Sequence, residues 1–245
     1  MQRFFVEPDQ VKDKEIWIIG ADVNHIKNVL RMKPGEALRI SNQSDREYIC
    51  CIREISNEKI IAKIQSVQNT QIELPSDIYL FQGMPKSDKM ELIIQKAVEL
   101  GIHEIIPVVT QRTVVKLDRK KEEYKRKRWQ SIAEGAAKQS GRMYIPEVTP
   151  VKTFKEALKY SKKITRKIIP YELADQMEDT KDFLRQIRPG ESIGVFIGPE
   201  GGFSPEEISQ AINYQIRPVT LGKRILRTET AGLAVLSVLM FALEG

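Results

Sequence analysis

The sequence has few of the residues that build metal, disulfide or redox sites. Its 245 residues include only two histidines, His25 and His103, and two cysteines, with no Cys-x-x-Cys pair. A zinc or other transition-metal site therefore has too few ligands, and we expect no metal. Cys50 and Cys51 are adjacent in a strand-like stretch, so their side chains point to opposite faces and we expect no disulfide between them.

Long apolar segments and phosphate-binding loop motifs are missing as well. The N-terminus lacks the apolar core of a signal peptide, and the most apolar segment, 231–243, is shorter than the roughly 20 residues that cross a bilayer. Neither a G-x-x-x-x-G-K-[ST] nor a G-x-G-x-x-G sequence occurs, which argues against nucleotide hydrolysis and dinucleotide redox chemistry. We therefore expect a cytoplasmic protein without a membrane partner.

Positive charge is present in mild excess. The 39 basic residues outnumber the 33 acidic ones, which gives a net charge of +6 and a pI near 9.2. Such an excess favours a polyanionic partner such as nucleic acid. The densest basic run, 119–128, is either a solvated helix face held by i,i+4 ion pairs or a surface that contacts phosphates.

Two kinds of hydrophobic pattern divide the chain. Residues 1–73 contain short strand-like runs and one small helix, which predicts a compact β-barrel domain. The polar stretch 69–77 shows no regular period and marks the boundary. From residue 78 onward, six strand-like segments alternate with helices. This rhythm predicts a second domain, 74–245, of the α/β class, with a mainly parallel sheet covered on both faces.

Two glycine-containing junctions in the last third of the chain predict a ligand pocket. Residues 195–197 have the character of a buried strand end, glycines follow, and the Ser-Pro-Glu-Glu sequence at 204–207 predicts a capped helix start. A second strand ends at Gly222, a cationic loop follows, and Thr228 begins an almost entirely apolar helix. Ligands bind outside the carboxyl ends of parallel strands, so these junctions favour a shared pocket. Two ordinary strand–helix turns are the alternative.

Cations beside aromatic residues suggest RNA contact in the first domain. Arg3 stands next to Phe4 and Phe5, a combination that suits unpaired bases. A core position is nonetheless expected for one of the two phenylalanines, since neighbouring strand residues face opposite ways. His25 and Arg31 lie on one side of the predicted short helix. A single histidine is more often a core residue than a base-reading one, so a core position is the alternative for His25.

Three further cations lie beyond the predicted domain boundary. Lys86 and Lys89 belong to a charged loop after the first strand of the second domain, at the same sheet edge as the two glycine junctions. A long polar helix is predicted over about 119–140, ending at Gly141, and Arg142 follows it at a position that suits a partner or a pocket. Ordinary surface charge is the alternative for all three.

The two glycine junctions carry a family resemblance. Gly198–Ser204 and Leu221–Ala231 closely resemble the signature of RsmE-type ribosomal RNA methyltransferases, which are members of the SPOUT superfamily. The resemblance covers the whole chain. Four segments match the family's catalytic domain: Lys86–Glu91, Gln95–Gly101, Gln111–Thr113 and Ala136–Ser140. Met1–Phe5 and His25–Arg31 are similar to its PUA-like RNA-binding domain, although these two segments are less specific.

This resemblance implies a SPOUT-type knotted α/β domain, with a deep trefoil knot, preceded by a small PUA-like β-barrel. It implies a homodimer that binds S-adenosyl-L-methionine in the knot and methylates N3 of a uridine in 16S rRNA. The implied cofactor-binding residues are Ile197, Gly198, Glu200, Gly201, Gly202, Leu221, Gly222, Ile225 and Leu226. The implied RNA-binding residues are Arg3, His25, Arg31, Lys86, Lys89, Arg112 and Arg142.

The implied chemistry agrees with the residues at the junctions. A sulfonium methyl group is already activated, so the protein must mainly position it against the nucleophile. Uridine N3 must lose a proton, and a cation near the flanking carbonyl oxygens stabilises the resulting anion. Arg227 is the first candidate for that cation, and Glu229 or Glu200 for the group that takes the proton or orients the base. Glu229 alternatively stabilises the start of the last helix.

Two other functions remain open on the sequence. The cofactor motifs say little about the acceptor, so a SPOUT enzyme that methylates another RNA base is the first alternative. A non-catalytic rRNA-binding assembly factor with the same fold is the second. For the uridine N3-methyltransferase the expected partner is 16S rRNA, within a ribosomal particle.

Overall fold

The computed structural model describes residues 1–44, 46–114, 118–174 and 177–244, which form two compact units. The first unit comprises Met1–Glu73 together with Ala137–Ile145, and the second comprises Leu74–Ala136 and the described residues from Pro146 onward. The segment 137–145 is held in the first unit by side chains far away in the sequence. One of them is Arg3, which donates to the main-chain oxygens of Gly141 and Arg142 at 2.5 and 2.6 Å.

A mixed five-stranded sheet forms the first unit. Its strands are β1 (Arg3–Phe5), β2 (Glu15–Ile19), β3 (Ala37–Ser41), β4 (Arg46–Ile55) and β5 (Lys59–Asn69), in the order β1-β3-β4-β5-β2. The β1–β3 pair is parallel and the other pairs are antiparallel. Alternate residues such as Leu38 and Ile40 point into one core that contacts all five strands. Strands β1 and β2 lie at the two ends of this order, as in a partly open barrel.

The short helix of the first unit differs from the prediction in its form. Helix α1 (Ala21–Asn24) continues directly into a π-helix, His25–Val29, and Gly20 occupies the N-cap position. Arg31 then adopts a φ of 54°, a left-handed conformation that non-glycine residues rarely take. Such local irregularities are common at functional sites.

A parallel sheet flanked by helices forms the second unit. Its strands are β6 (Ile78–Gly83), β7 (Glu104–Val109), β8 (Glu147–Val148), β9 (Lys152–Thr153), β10 (Arg166–Pro170), β11 (Ile193–Ile197) and β12 (Arg217–Val219). Its helices are α2 (Lys89–Glu99), α3 (Arg119–Ser140), α4 (Phe154–Tyr160), α5 (Met177–Gln186), α6 (Pro205–Asn213) and α7 (Thr228–Leu243). The last turn of α3, from Ala137 onward, belongs to the first unit. The sheet order is β12-β10-β11-β6-β7-β8, with β9 also paired to β7. The six predicted strands are confirmed, and β9 was not predicted.

The centre of this sheet is fully buried, and three of its strands end at the same edge. Every residue of β6 and β11 is buried, as expected for strands covered on both faces. Phe81 and Phe196 on these neighbouring strands stack with ring centroids 4.1 Å apart. Because β11 pairs in parallel with both β6 and β10, the loops that follow these three strands leave the same edge. No helix in the described residues is long and apolar enough to cross a membrane.

Candidate active site

The turn after β11 has the predicted local geometry. The Ser204 hydroxyl accepts from the Glu207 main-chain N–H at 3.2 Å, and the Glu207 carboxylate accepts from the Ser204 N–H at 3.0 Å. Gly202 has a φ of +67°, which glycine adopts without strain. The second Glu207 oxygen accepts from the main-chain N–H of Gln111 at 2.8 Å. This capping box therefore also fixes the loop that follows β7.

The two glycine junctions meet at one buried threonine. The Thr228 hydroxyl donates to the Gly198 carbonyl oxygen at 2.6 Å, which joins the start of α7 to the turn after β11. The Gln82 amide donates to the Thr228 hydroxyl and to the Gly83 carbonyl oxygen, both at 2.9 Å. At Gly83 a Cβ atom would lie 2.6 Å from the Pro199 ring, so the close approach of these loops requires glycine.

Neither Gln82 nor Thr228 was among the predicted site residues. Both are buried, and each connects segments that lie far apart in the sequence. The available signal was a polar residue at the carboxyl end of an otherwise apolar strand, which Gln82 provides. Their role here is to hold three loops together at the sheet edge.

Two carboxylates and one ammonium group meet beside this junction. The Lys89 Nζ lies 3.3 Å from a Glu200 oxygen and 3.2 Å from the Glu229 Oε2. Glu200 also accepts from the main-chain N–H of Lys86 at 3.0 Å. Burial alone would raise the pKa of Glu200, but hydrogen bonds from its own and Lys86's N–H groups, together with Lys89, lower it overall. The Glu229 carboxylate, followed by Glu200, raises the pKa of Lys89.

Lys89 and Arg112, two of the predicted RNA contacts, have partners within the second unit. Lys89 forms ion pairs with Glu200 and Glu229, and Arg112 donates to the Gly201 carbonyl oxygen at 2.7 Å. A Cβ atom at Gly201 would lie 3.3 Å from the Arg112 Cβ, so the bare backbone of Gly201 leaves room for that arginine. Contact of either cation with RNA stays a prediction.

The loop between β12 and α7 leaves backbone groups available to a ligand. The peptide groups of Leu221, Ile225 and Leu226 form no hydrogen bond with another described residue. Gly222 has a φ of +109°, which turns the chain sharply at the end of the strand. The Ile225 side chain in this loop is 87% exposed.

Two buried side-chain oxygens near these loops also lack hydrogen-bond donors. Within the described residues, Gln82 Oε1 and Glu229 Oε2 form no hydrogen bond, although Lys89 lies within ion-pair distance of the latter. A buried acceptor without a donor is costly unless a ligand or water supplies one. A Cβ atom at Gly202 would meet open space. Free peptide groups, a Gln82 oxygen without a donor and open space together fit a nucleoside-containing ligand.

Arg227 stands free at this site. It occupies the N-cap position of α7, it is exposed, and its side chain forms no hydrogen bond or ion pair with another described residue. Its guanidinium is therefore available to a substrate oxygen. Glu229, two residues further along, lies in the first turn of α7, where a negative charge is also favoured by the helix dipole.

The predicted RNA contacts of the first unit separate into buried and exposed residues. The side chains of Arg3 and Arg142 are 6% and 5% exposed, and they pair with Glu47 and Glu73 respectively. Because these guanidinium groups are enclosed, we do not include them in the proposed RNA surface. His25 and Arg31 are exposed on and after the π-helix, whereas Phe4 is a core residue. Among the described residues no cluster of His, Cys, Asp and Glu could hold a metal ion.

Comparison with protein families identifies both units. The family model described as the RNA methyltransferase domain matches residues 72–240, and that described as the RNA methyltransferase PUA domain matches residues 18–65. The Bacillus subtilis protein named ribosomal RNA small subunit methyltransferase E is 36% identical, with 100% of this chain and 98% of the relative covered. The protein of the same name from Mesomycoplasma hyopneumoniae is 33% identical, with coverages of 97% and 98%.

Solved structures agree with these matches. A methyltransferase from Legionella pneumophila in complex with the cofactor SAM is 33% identical, with a TM-score of 0.86 and coverages of 98% and 97%. A ribosomal RNA small subunit methyltransferase E from Neisseria gonorrhoeae, bound to S-adenosyl methionine, is 32% identical, with a TM-score of 0.84 and the same coverages. The predicted combination of a PUA-like unit and a SPOUT-type α/β methyltransferase domain is confirmed. The chain belongs to the RsmE family of ribosomal RNA small subunit methyltransferases.

Proposed function

We propose that this protein transfers a methyl group from S-adenosyl-L-methionine to N3 of a uridine in 16S rRNA. The observation that carries the proposal is the meeting of the loops after β6, β11 and β12 around the buried Thr228 hydroxyl. In relatives more than 30% identical over the full chain, the same fold is found with S-adenosyl methionine bound. The particular uridine N3 acceptor rests on the motif resemblance.

The second unit supplies the cofactor site in this proposal. Free peptide groups of Leu221, Ile225 and Leu226 suit the edge of an adenine ring, because they offer both donors and acceptors. Gly202 leaves open space for the rest of the nucleoside. We assign the remaining contacts to Ile197, Gly198, Glu200, Gly201 and Gly222. When bound, the cofactor supplies a methyl group activated by a sulfonium centre.

The chain's own residues prepare the acceptor. We assign Arg227 to a carbonyl oxygen next to N3, where its positive charge favours the deprotonated imide. Glu229 takes the N3 proton or orients the base, and Lys89 holds Glu229 and Glu200 in place through its two ion pairs. Because N3 lies on the pairing edge, the target uridine must be unpaired or turned out of a helix.

We further propose a two-domain division of the chain, a homodimeric assembly and a cytoplasmic location. Residues 1–73 form the PUA-like RNA-binding domain, with exposed His25 and Arg31 as contacts, and residues 74–245 form the methyltransferase domain with a trefoil knot. A homodimer is supported by exposed apolar side chains on α7, where Phe241 is 78% and Val238 is 47% exposed. We expect the dimer to act in the cytoplasm on a ribosomal particle.

A methylation map tests the proposed function. Small-subunit particles and naked 16S rRNA from a strain that lacks this gene are incubated with the purified protein and labelled S-adenosyl-L-methionine. The expected result is one new N3-methyluridine, located by mass spectrometry of nuclease fragments. Methylation of a different base would support the first alternative enzyme. Binding of rRNA with no methyl transfer and no S-adenosyl-L-methionine binding would identify an assembly factor instead.

A further inference from the structure

Besides the basic run at 119–128, positive charge is concentrated in residues 152–167, outside the candidate active site. Residues 152–167 contain seven Lys and Arg and a single acidic residue, Glu156. This segment comprises β9, α4, the short turn after it and the start of β10. Glu156 caps α4, because its carboxylate accepts from the Thr153 N–H and hydroxyl at 2.8 and 2.7 Å.

Four of these lysines lie on α4 and its two flanks. Lys155 and Lys159 are four residues apart on one face of the helix, Lys152 lies in β9 just before it, and Lys162 lies in the short 3-10 turn just after it. We call these four residues the α4 lysine stripe. Lys155, Lys159 and Lys162 are exposed, and none of the four forms an ion pair within 4 Å with a carboxylate of the described residues.

Aromatic rings lie under this stripe. The Lys152 Nζ is 4.8 Å from the centre of the Tyr160 ring, and the Lys162 Nζ is 5.5 Å from that of Tyr214. The neighbouring Lys163 Nζ also lies over Tyr160, at 4.1 Å. A ring face attracts a cation without neutralising its charge, so these ammonium groups stay available to an anion. Cations interleaved with aromatic rings are typical of surfaces that bind nucleic acid strands.

The basic run on α3 provides the contrast. Although residues 119–128 also contain seven Lys and Arg, several of them are paired with acids. Lys121 pairs with Asp118 at 3.5 Å, Lys127 with Glu123 at 3.0 Å, and Arg128 with Glu91 at 3.1 Å. The interpretation of that run as an ion-paired helix face is thus supported for these residues. The other four cations of that run form no ion pair within 4 Å with a described residue, so the α4 lysine stripe differs from the run in that all of its lysines are unpaired.

A cleft next to Lys162 strengthens the case for an anionic ligand. The cleft has a volume of about 500 Å³ and is lined by Lys162, Lys167, Asn213, Tyr214 and Gln215. Lys167 is 7% exposed and donates to the Tyr214 carbonyl oxygen at 2.8 Å. An ammonium group has three N–H donors, so this bond leaves others that a phosphate oxygen could accept from.

We propose that the α4 lysine stripe binds the phosphate backbone of the rRNA substrate, outside the catalytic pocket. The inference rests on the proposed function for the identity of the RNA. The stripe makes no contact with the reacting base, so it contributes to RNA affinity and not to the chemical step. Each lysine that contacts a phosphate adds to the salt dependence of binding.

A triple substitution tests the stripe. Lys155→Gln/Lys159→Gln/Lys162→Gln removes three charges and retains residues that favour helix. The matched control is Lys121→Gln/Lys127→Gln/Lys181→Gln, which removes three charges from exposed lysines of the same unit that have acidic partners. Affinity for 16S rRNA is measured by filter binding between about 50 and 200 mM salt. KM and kcat are measured with the same RNA.

The stripe variant is expected to raise KM for RNA roughly tenfold, with kcat unchanged, and to reduce the slope of log K against log salt by about 2. The control should change each quantity less than twofold. Equal effects of the two variants, or no effect of either, would overturn the proposal. If the parent protein methylates no rRNA, the proposed function fails, and the filter-binding comparison still decides whether the stripe binds RNA.

Discussion

The Thr228 hydroxyl joins the three loops of the candidate site, and replacing it with an isosteric apolar side chain tests that role. Thr228→Val removes a donor to the Gly198 carbonyl oxygen at 2.6 Å and an acceptor for the Gln82 amide at 2.9 Å. The side chain is buried, so water cannot readily replace these partners. Valine has nearly the same volume, and the change therefore reports on hydrogen bonding and not on packing.

The expected cost follows from the two hydrogen bonds. Each contributes about 1 kcal/mol net, and a buried carbonyl oxygen left without a donor costs about 1–3 kcal/mol. The Gln82 amide retains its bond to the Gly83 carbonyl oxygen, which limits the loss on that side. We expect Thr228→Val to lower the free energy of unfolding by roughly 2–4 kcal/mol. Because the β11 turn is released, affinity for S-adenosyl-L-methionine should fall as well.

Urea unfolding and calorimetric titration of S-adenosyl-L-methionine measure these two quantities. Thr228→Ser keeps the hydroxyl and should lose only about 1 kcal/mol, from one buried methyl group. Thr230→Val, at an exposed position of the same helix, should change the free energy of unfolding by less than about 0.5 kcal/mol. The reasoning is refuted if Thr228→Val is as stable as Thr230→Val and binds the cofactor like the parent protein.

Three further predictions concern charge and ionisation. Arg227→Ala should lower kcat by roughly 100-fold or more while the affinity for S-adenosyl-L-methionine changes less than about twofold, and an unchanged kcat would remove Arg227 from the catalytic residues. Lys89→Met should raise the pKa of Glu200, because Lys89 is one of the groups that lower it; a carboxyl NMR titration that matches the parent would contradict the ion pair. Burial, and then the adjacent Cys51, raises the pKa of Cys50 to about 12, so an aromatic disulfide reagent at pH 8 should modify one thiol in the folded protein and two after unfolding. Modification of both thiols in the folded state would show that Cys50 is accessible.

The Lys89 prediction has a definite direction in pH. A carboxylate whose pKa is lowered in the folded state stabilises that state above its unfolded pKa, and the stabilisation is lost as the pH falls through the folded value. For Glu200 this loss should occur below the ordinary pKa of about 4.5 in the parent protein. In Lys89→Met the loss should move to higher pH.

Local sequence signals predicted the elements of the second unit well. The Ser-Pro-Glu-Glu sequence at 204–207 contains its own capping box, and the structure has α6 start there. The predicted limits of α3, 119–140, are also those observed, because Gly141 takes a left-handed φ of 78° and ends the helix. Such features depend on residues within one or two turns, so a single sequence contains the information.

Long-range pairings were not predictable in the same way. Gln82 and Thr228 are separated by 146 positions, and no periodicity relates them. The enclosure of Arg3 depends on Glu47 and on the end of α3, and nothing in the sequence around Arg3 indicates this. Lys89 was predicted as an RNA contact because it is charged, but its two carboxylate partners come from other loops. Charge alone does not show whether a cation has a partner.

We expect the loops after β6, β11 and β12 to enclose one molecule of S-adenosyl-L-methionine. A crystal structure of the protein with this cofactor is the decisive experiment. Electron density is expected for the adenine against the main chain of Leu221–Leu226 and for the methyl group facing Arg227 and Glu229. Density for the cofactor elsewhere, with Gly201 and Leu226 free of contact, would contradict it.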